Sequence, residues 1–196
     1  MNQALNDGVT ALFIASNNGH LDVVKILLGV EEININQARD GGWTALLVAS
    51  QNGHSGVVKL LLRAEGINVN QTTNNGVTAL IMASQNGCSD VMKLLLGAEG
   101  INVNQTTNKG ATALYIASWK GHSDVVKLLL GAEGINVNQA GNNGATALYV
   151  ASYKGHSDVV KLLLDVEGIN INQARNDGAT ALFIASQENQ SKEVFV

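Results

Sequence analysis

The chain has no proline and one cysteine among its 196 residues. Because proline is absent while glycine reaches 21 residues, we expect its tight turns to be built on left-handed glycines and not on residues with a fixed φ. The lone Cys88 excludes an internal disulfide. A chain without structural disulfides fits a reducing, cytoplasmic location.

Long apolar runs and clustered positive charge are missing as well. No N-terminal stretch resembles a secretory signal, and none approaches the roughly 20 apolar residues of a membrane span. The formal net charge of -4 gives no general attraction to phosphate backbones or anionic membranes. Nucleic acid and membranes are therefore not expected as partners.

No motif of a nucleotide, metal or catalytic site stands in the sequence. It contains no Gly-Lys-Thr or Gly-Lys-Ser, the end of a phosphate-binding loop. Carboxylates occur singly, as at Glu99 and Glu133, without a pair placed to shift each other's pKa. We therefore expect a protein that is not an enzyme and has no cofactor or metal.

A 34-residue repeat runs through the chain. Fixed periods of this length are the signature of proteins in which each unit stacks on its neighbours. We interpret 1–196 as one repeat domain, with units at 1–36, 37–70, 71–104, 105–138 and 139–172 and a partial unit at 173–196. The repeat is marked by the triplet Thr-Ala-Leu, which begins at Thr10, Thr44, Thr78, Thr112, Thr146 and Thr180.

The residue pattern of each unit predicts two helices. From Thr112 to about Trp119, apolar side chains three residues apart share one helical face, and the threonine hydroxyl is a natural N-cap. Gly121 ends this helix, and a second helix begins near Ser123. The second helix is so apolar that neighbouring units must bury it. The connector that follows is polar. Asparagines recur in it at one register and predict a hydrogen-bond ladder between units: Asn36, Asn70, Asn104, Asn138 and Asn172.

The pattern Gly-x-Thr-x-Leu-x-x-Ala, then Gly-His, then Val-Val-x-x-Leu-Leu, then Val-Asn resembles the ankyrin repeat over essentially the whole chain. The resemblance implies an all-α fold, a solenoid of antiparallel helix pairs with β-turn fingers and a concave face that binds another protein. Two residues of the family's Thr-Pro-Leu-His are replaced: the proline by alanine, and the histidine by an aromatic or aliphatic residue. We expect apolar packing there. The unit is also one residue longer, near Gly97 to Ile101.

Histidine recurs once per unit, except that Cys88 replaces it in the third. Equivalent positions in neighbouring units lie about 8 to 10 Å apart, too far for one metal ion to bridge, so we expect a structural role. Cys88 is interpreted as a substitution without catalytic function, because a catalytic thiol needs a lowered pKa and a neighbouring base. The histidines are His20, His54, His122 and His156.

Positions that vary between units indicate where a partner binds. In the ankyrin family these are the fingertip, the register before the repeated threonine and the end of the first helix. Residues 105–164 hold five lysines against three carboxylates, a net charge of +2, which suits a protein partner bearing acidic residues. The candidate partner-binding residues are Trp43, Lys109, Tyr115, Trp119, Lys120, Tyr149, Tyr153 and Lys154.

Other interpretations stay open. The same side chains also fit a solvated surface or packing along the spine. The near-identity of units three to five also fits a consensus-like, designed or duplicated scaffold without its own partner, or the regulatory segment of a larger enzyme. Neither end looks sealed by a polar cap. We therefore expect either a segment of a longer array or ends that stack on other copies, so that the chain is a monomer or associates end to end through its terminal units.

Overall fold

The repeated threonine begins the first helix of every unit. In the computed structural model, which describes residues 5–193 and the side chains of 5–187, the Thr112 hydroxyl accepts the backbone N–H of Tyr115 at 3.1 Å. The other five threonines make the same bond, which confirms all six predicted caps. The first helices are α1 (Ala11–Asn17), α3 (Ala45–Gln51), α5 (Ala79–Asn86), α7 (Ala113–Lys120), α9 (Ala147–Lys154) and α11 (Ala181–Glu193).

A glycine turn reverses the chain into the second helix. Gly121 follows α7 with a φ of 77°, a left-handed conformation that glycine adopts without steric cost. The predicted start of the next helix at Ser123 is confirmed. The second helices are α2 (Leu21–Leu28), α4 (Ser55–Leu62), α6 (Ser89–Leu96), α8 (Ser123–Leu130) and α10 (Ser157–Leu164).

Each connector forms a β-turn finger. In the fourth unit the N–H of Gly110 donates to the carbonyl of Thr107, and the N–H of Thr107 donates to the carbonyl of Ala111, both at 2.9 Å. Within residues 5–193 the only strand-like pairing is a single bridge between Arg39 and Trp43. The predicted all-α class is therefore confirmed for the part of the chain that the structure describes.

Asparagine side chains tie each connector to the next. Asn104 accepts the N–H of Asn136 at 2.8 Å and donates to the carbonyl of Gly134 at 2.7 Å. The same two bonds recur at Asn36, Asn70 and Asn138, which confirms the ladder at these registers. Asn172 has no following connector within 5–193.

One apolar core runs along the stack from Leu12 to Ala181. The first helices pack against each other in series, and so do the second helices. Where the family has histidine, the side chains of Leu47 and Ile81 are buried, so apolar packing does replace the polar link in these units. Because each unit is buried mainly by its neighbours, the stability of such an array is close to a sum of neighbouring contacts.

The first and last units expose apolar side chains at registers that other units cover better. Leu182 in α11 is 73% exposed, whereas Leu148, its equivalent one unit earlier, is 2% exposed. Ile26 in α2 is 71% exposed, whereas Leu60 at the same register is half-buried. The described residues hold no second helix after α11. End-to-end association of these units stays a prediction.

Candidate partner-binding surface

Three of the candidate residues form a cluster where α7 and α9 lie side by side. The rings of Trp119 and Tyr153 are 5.9 Å apart between centroids and inclined by 31°. The Lys154 ammonium lies 4.0 Å from the centre of the Trp119 ring and 5.2 Å from that of Tyr153. We call these three residues the aromatic cluster. The ammonium is held by attraction to the negative face of the indole, a contact worth about 0.5 to 1 kcal/mol at an exposed site.

A groove of about 780 Å³ opens beside this cluster. Its floor is apolar and comes from α7 and from the residues that precede the helices, while its walls are finger residues rich in side-chain amides. Lys109, at the tip of the fourth finger, is the only charged residue lining it within the described side chains. The lining residues are Asn75, Val77, Thr107, Asn108, Lys109, Ala111, Tyr115, Ile116, Trp119, Asn142 and Asn143.

Tyr149 lies beneath this surface and does not form it. Its ring is 5% exposed and belongs to a small second core with Ala145 and Val150, against which Tyr115 and Trp119 pack. Arg175 from the next finger covers it, 5.4 Å from the ring centre. The prediction of direct partner contact is corrected for this residue, because the guanidinium and neighbouring side chains enclose it. Tyr149 supports the aromatic residues above it.

Two other predicted residues lie apart from the groove lining. Trp43 is half-buried and packs against the main core in the second unit, although Val77 and Ala111 at its register do line the groove. Lys120 is exposed at the last position of α7, next to Trp119 in sequence. The structure thus brings Lys109, Tyr115 and Trp119 to one groove, places Tyr153 and Lys154 at Trp119, and leaves Trp43 outside.

The family model for ankyrin repeats (3 copies) matches residues 1–73, 65–141 and 133–195. The chain belongs to the ankyrin repeat family. Its fold is similar to the crystal structure of EF0377, an ankyrin repeat protein, with a TM-score of 0.84 and 26% identity over 96% of this chain and 95% of that one. No curated protein matches it significantly.

Membership of the ankyrin family gives a general function. Ankyrin repeats generally mediate protein–protein interaction, and their fold is typically a non-catalytic scaffold. None of the described helices is long and apolar enough to cross a membrane. Among the described residues, no group of three or more histidine, cysteine, aspartate or glutamate side chains is placed to hold a metal ion.

The histidines of the ankyrin units link neighbouring units. The Nε2 atom of His156 lies 3.1 Å from the carbonyl oxygen of Trp119, and His122 and His54 make the same contact one and three units earlier. These contacts give His54, His122 and His156 the structural role that we expected. His156 also holds the backbone at Trp119 in place. It therefore connects the turn between the helices of the fifth unit to the aromatic cluster.

Cys88 does not make this link. Its sulfur lies 3.8 Å from the carbonyl oxygen of Asn86 in its own unit. Burial raises the pKa of the Cys88 thiol, so the thiolate is less populated at neutral pH than in a free cysteine. This is the opposite of what a nucleophilic thiol needs.

An ion pair, Arg175 with Asp177, lies in the finger that follows the groove on its C-terminal side. Arg175 donates from Nε to the Asp177 carboxylate at 3.0 Å and makes a second, shorter hydrogen bond to it. The hydrogen bond from Arg175 lowers the pKa of the Asp177 carboxyl. This carboxylate already has a cation as partner, so it is not placed to neutralise the lysines of the surface.

Sequence reasoning missed part of the groove. Asn108 and Asn142 were not singled out, yet each donates its side-chain N–H to the carbonyl of the preceding finger, at 3.0 Å in both cases. A signal was present, because an asparagine recurs before the fingertip in four successive units, at Asn74, Asn108, Asn142 and Asn176. These bonds hold the walls of the groove in fixed positions.

Proposed function

We propose that this chain is a non-catalytic interaction module that binds a partner protein through its fingers and first helices in the fourth and fifth units. The contact residues are Lys109, Tyr115, Trp119, Lys120, Tyr153 and Lys154, with Tyr149 as support. Trp43 is a separate contact in the second unit. The observation that carries the proposal is the aromatic cluster at the edge of an open groove.

The physical argument concerns exposed aromatic area. Tyr153 is 38% exposed, so part of its aromatic side chain lies at the surface. The second and third units instead hold polar residues at this register, Gln51 and Gln85. Large aromatic side chains lose little rotamer freedom on binding and are favoured anchors of protein interfaces. The cluster is also pre-ordered by its ring and ammonium contacts, which reduces the entropy lost when a partner binds.

The composition of the surface favours a protein partner over a substrate. The groove lining holds one charged side chain, Lys109, and no carboxylate, histidine or cysteine. An active site needs an asymmetric set of acid, base or nucleophile within hydrogen-bond reach. We therefore propose that the chain is not an enzyme. Because the single cysteine of the sequence cannot form an internal disulfide, we also propose a cytoplasmic location.

Affinity capture tests the function. The wild-type chain and the double variant Trp119→Ala/Tyr153→Ala are immobilised and exposed to a lysate of the cells that express the chain. Proteins held by the wild type are expected to be lost from the variant, because truncating interface anchors costs about 2 kcal/mol or more each. Circular dichroism confirms that the variant is folded.

Two further variants make this test specific. Lys154→Glu reverses the charge over Trp119 without removing a ring, and it is expected to reduce capture as well. Lys127→Ala/Lys161→Ala changes exposed lysines on the second helices and serves as the control that leaves capture unchanged. If the same proteins bind the wild type and both surface variants, the proposed contact residues are wrong. If the wild type captures nothing, the interpretation as a scaffold without its own partner is favoured.

A further inference from the structure

Two fingers place an arginine over an aromatic ring of the preceding unit. Arg39 lies 5.2 Å from the ring centre of Phe13, and Arg175 lies 5.4 Å from that of Tyr149. Both arginines follow their ring at the same distance along the chain. At this spacing after Tyr115 stands Gly141. Among the described side chains, no cation lies over the Tyr115 ring as Arg39 and Arg175 lie over theirs, and Tyr115 lines the groove.

The backbone does not require glycine at this position. The φ of Gly141 lies outside the left-handed region, unlike that of Gly144 in the same finger. A Cβ atom at Gly141 would lie 3.4 Å from the Asn143 Oδ1 and 3.5 Å from the Lys109 carbonyl oxygen, which are ordinary van der Waals distances. A side chain at this position would therefore meet neither backbone strain nor a close contact at its Cβ.

The open position has a defined chemical character. Val77, Ala111 and Ile116 provide an apolar floor beside Tyr115, so a side chain that enters gains by leaving water. Lys109 stands at the rim, and the aromatic cluster brings Lys154 nearby. The carboxylate of the sixth finger, Asp177, is already bonded to Arg175. The surface therefore attracts negative charge around an apolar centre.

The groove also contains a side-chain amide that can form hydrogen bonds to a peptide backbone. The side-chain amide of Asn75 has no hydrogen-bond partner within the described residues and lines the groove from the third finger. An amide can donate to a peptide carbonyl and accept from a peptide N–H. An extended segment lying across the fingers satisfies both groups, whereas a rigid folded surface enters a groove of this size less well.

We propose, on the basis of the function proposed above, that the groove binds an extended acidic segment of the partner protein. One aromatic or aliphatic side chain of that segment occupies the space over Tyr115 that Gly141 leaves open, and flanking carboxylates pair with Lys109 and Lys154. Gly141 is thus a specificity-determining residue. Because it has no side chain, the partner can occupy the position over the ring that Arg39 and Arg175 occupy at the other two sites.

Labelled synthetic peptides test the ligand class. The probe is a short peptide with a central phenylalanine flanked by aspartates, and its binding to the full chain is measured by fluorescence anisotropy. Two comparison peptides replace the aspartates by lysines or the phenylalanine by glycine. Both are expected to bind at least about tenfold more weakly than the probe. Raising the salt concentration is expected to weaken the probe further, since exposed charge pairs are screened.

Substitutions at Gly141 test the open position. Gly141→Arg is expected to weaken probe binding at least about tenfold although it adds a positive charge, because its side chain covers Tyr115 as Arg175 covers Tyr149. The matched control is Gly131→Arg, at the C-cap of α8, where Arg63 stands naturally in α4; it is expected to bind like the wild type. Lys109→Glu is expected to weaken the probe about fivefold or more.

Each outcome supports or overturns a stated part of the proposal. A probe that binds no better than its lysine counterpart overturns the acidic ligand class. Undiminished binding to Gly141→Arg overturns the role of the open position. In either case, loss of capture by Trp119→Ala/Tyr153→Ala still supports the proposed function. Capture that survives in that variant shows that the proposed function itself has failed.

Discussion

At Cys88 the array lacks a contact that its histidines make elsewhere. His54 and His122 each reach a carbonyl oxygen of the preceding unit, whereas the shorter thiol bonds weakly within its own segment. The equivalent carbonyl, that of Gln51, accepts one bond from the Asn86 side chain at 3.0 Å. A carbonyl oxygen has two lone pairs, so it can accept a second donor.

We expect Cys88→His to stabilise the protein by about 0.5 to 1.5 kcal/mol, the net value of one added hydrogen bond. Gly53 leaves room for the ring, because it stands where Gly19 and Gly87 face the other histidines. The measurement is the urea midpoint with unchanged slope. Cys88→Ala is the control, since it removes the thiol without adding a donor. Equal midpoints for the two variants contradict this prediction.

Buried serines at one register of the first helices differ in their hydrogen bonding. Ser118 in α7 is fully buried, and its hydroxyl has no hydrogen-bond partner among the described residues. Ser84 at the same register donates to the carbonyl of Leu80 at 2.8 Å. An unpaired buried hydroxyl costs about 1 to 3 kcal/mol, so Ser118→Ala is expected to raise stability by about 1 kcal/mol. Ser84→Ala should be neutral or destabilising, and thermal unfolding that shows the same sign for both would refute the argument.

At the scale of the element, the turn between the two helices of a unit depends on its glycine. Gly121 has a left-handed φ, and a Cβ there would lie 2.7 Å from the His156 ring. Gly121→Ala is therefore expected to cost about 1 to 3 kcal/mol. Gly131→Ala is the control, because its φ is not left-handed and its added Cβ meets nothing closer than 3.6 Å. It should be neutral or stabilise by up to about 1 kcal/mol; similar losses for both variants in urea unfolding would count against the prediction.

The elements themselves could be predicted from the sequence because their determinants are local. Thr112 caps its own helix and Gly121 ends it, so one unit suffices to see both. The ladder through Asn104 was predictable because one residue type recurs at a fixed register. Tyr149 was assigned wrongly for the opposite reason. Its ring lies under Arg175 of the next finger and packs with Trp119 of the preceding unit, and no pattern within a unit shows these contacts.

The groove is a property of the whole molecule. Asn75 comes from the third unit, Thr107 and Trp119 from the fourth, and Asn142 from the fifth. No isolated unit holds it, so the surface exists only while the units are stacked. The candidate residues that the sequence suggested in the fourth and fifth units lie in or beside this groove or support it. Its shape could not be predicted, since no motif marks a position such as Gly141 at which a side chain is absent.

Coupling between units is therefore expected to control both stability and the groove, and Asn104 is the place to test it. Its side chain makes two hydrogen bonds to the following connector, so Asn104→Ala is expected to cost about 1 to 3 kcal/mol. In a stacked array this loss falls on one interface, and amide exchange should accelerate in α6 and α8 before α4.

Asn172→Ala provides the matched control. It removes the same side chain at the same register, where no further connector follows in the described residues, and should cost less than about 0.5 kcal/mol. If both variants lose equal stability, the ladder bonds do not couple the units. If Asn104→Ala is destabilised as expected, it should also bind the acidic probe more weakly, because Thr107 and Asn142 on the groove walls belong to the two connectors that Asn104 joins.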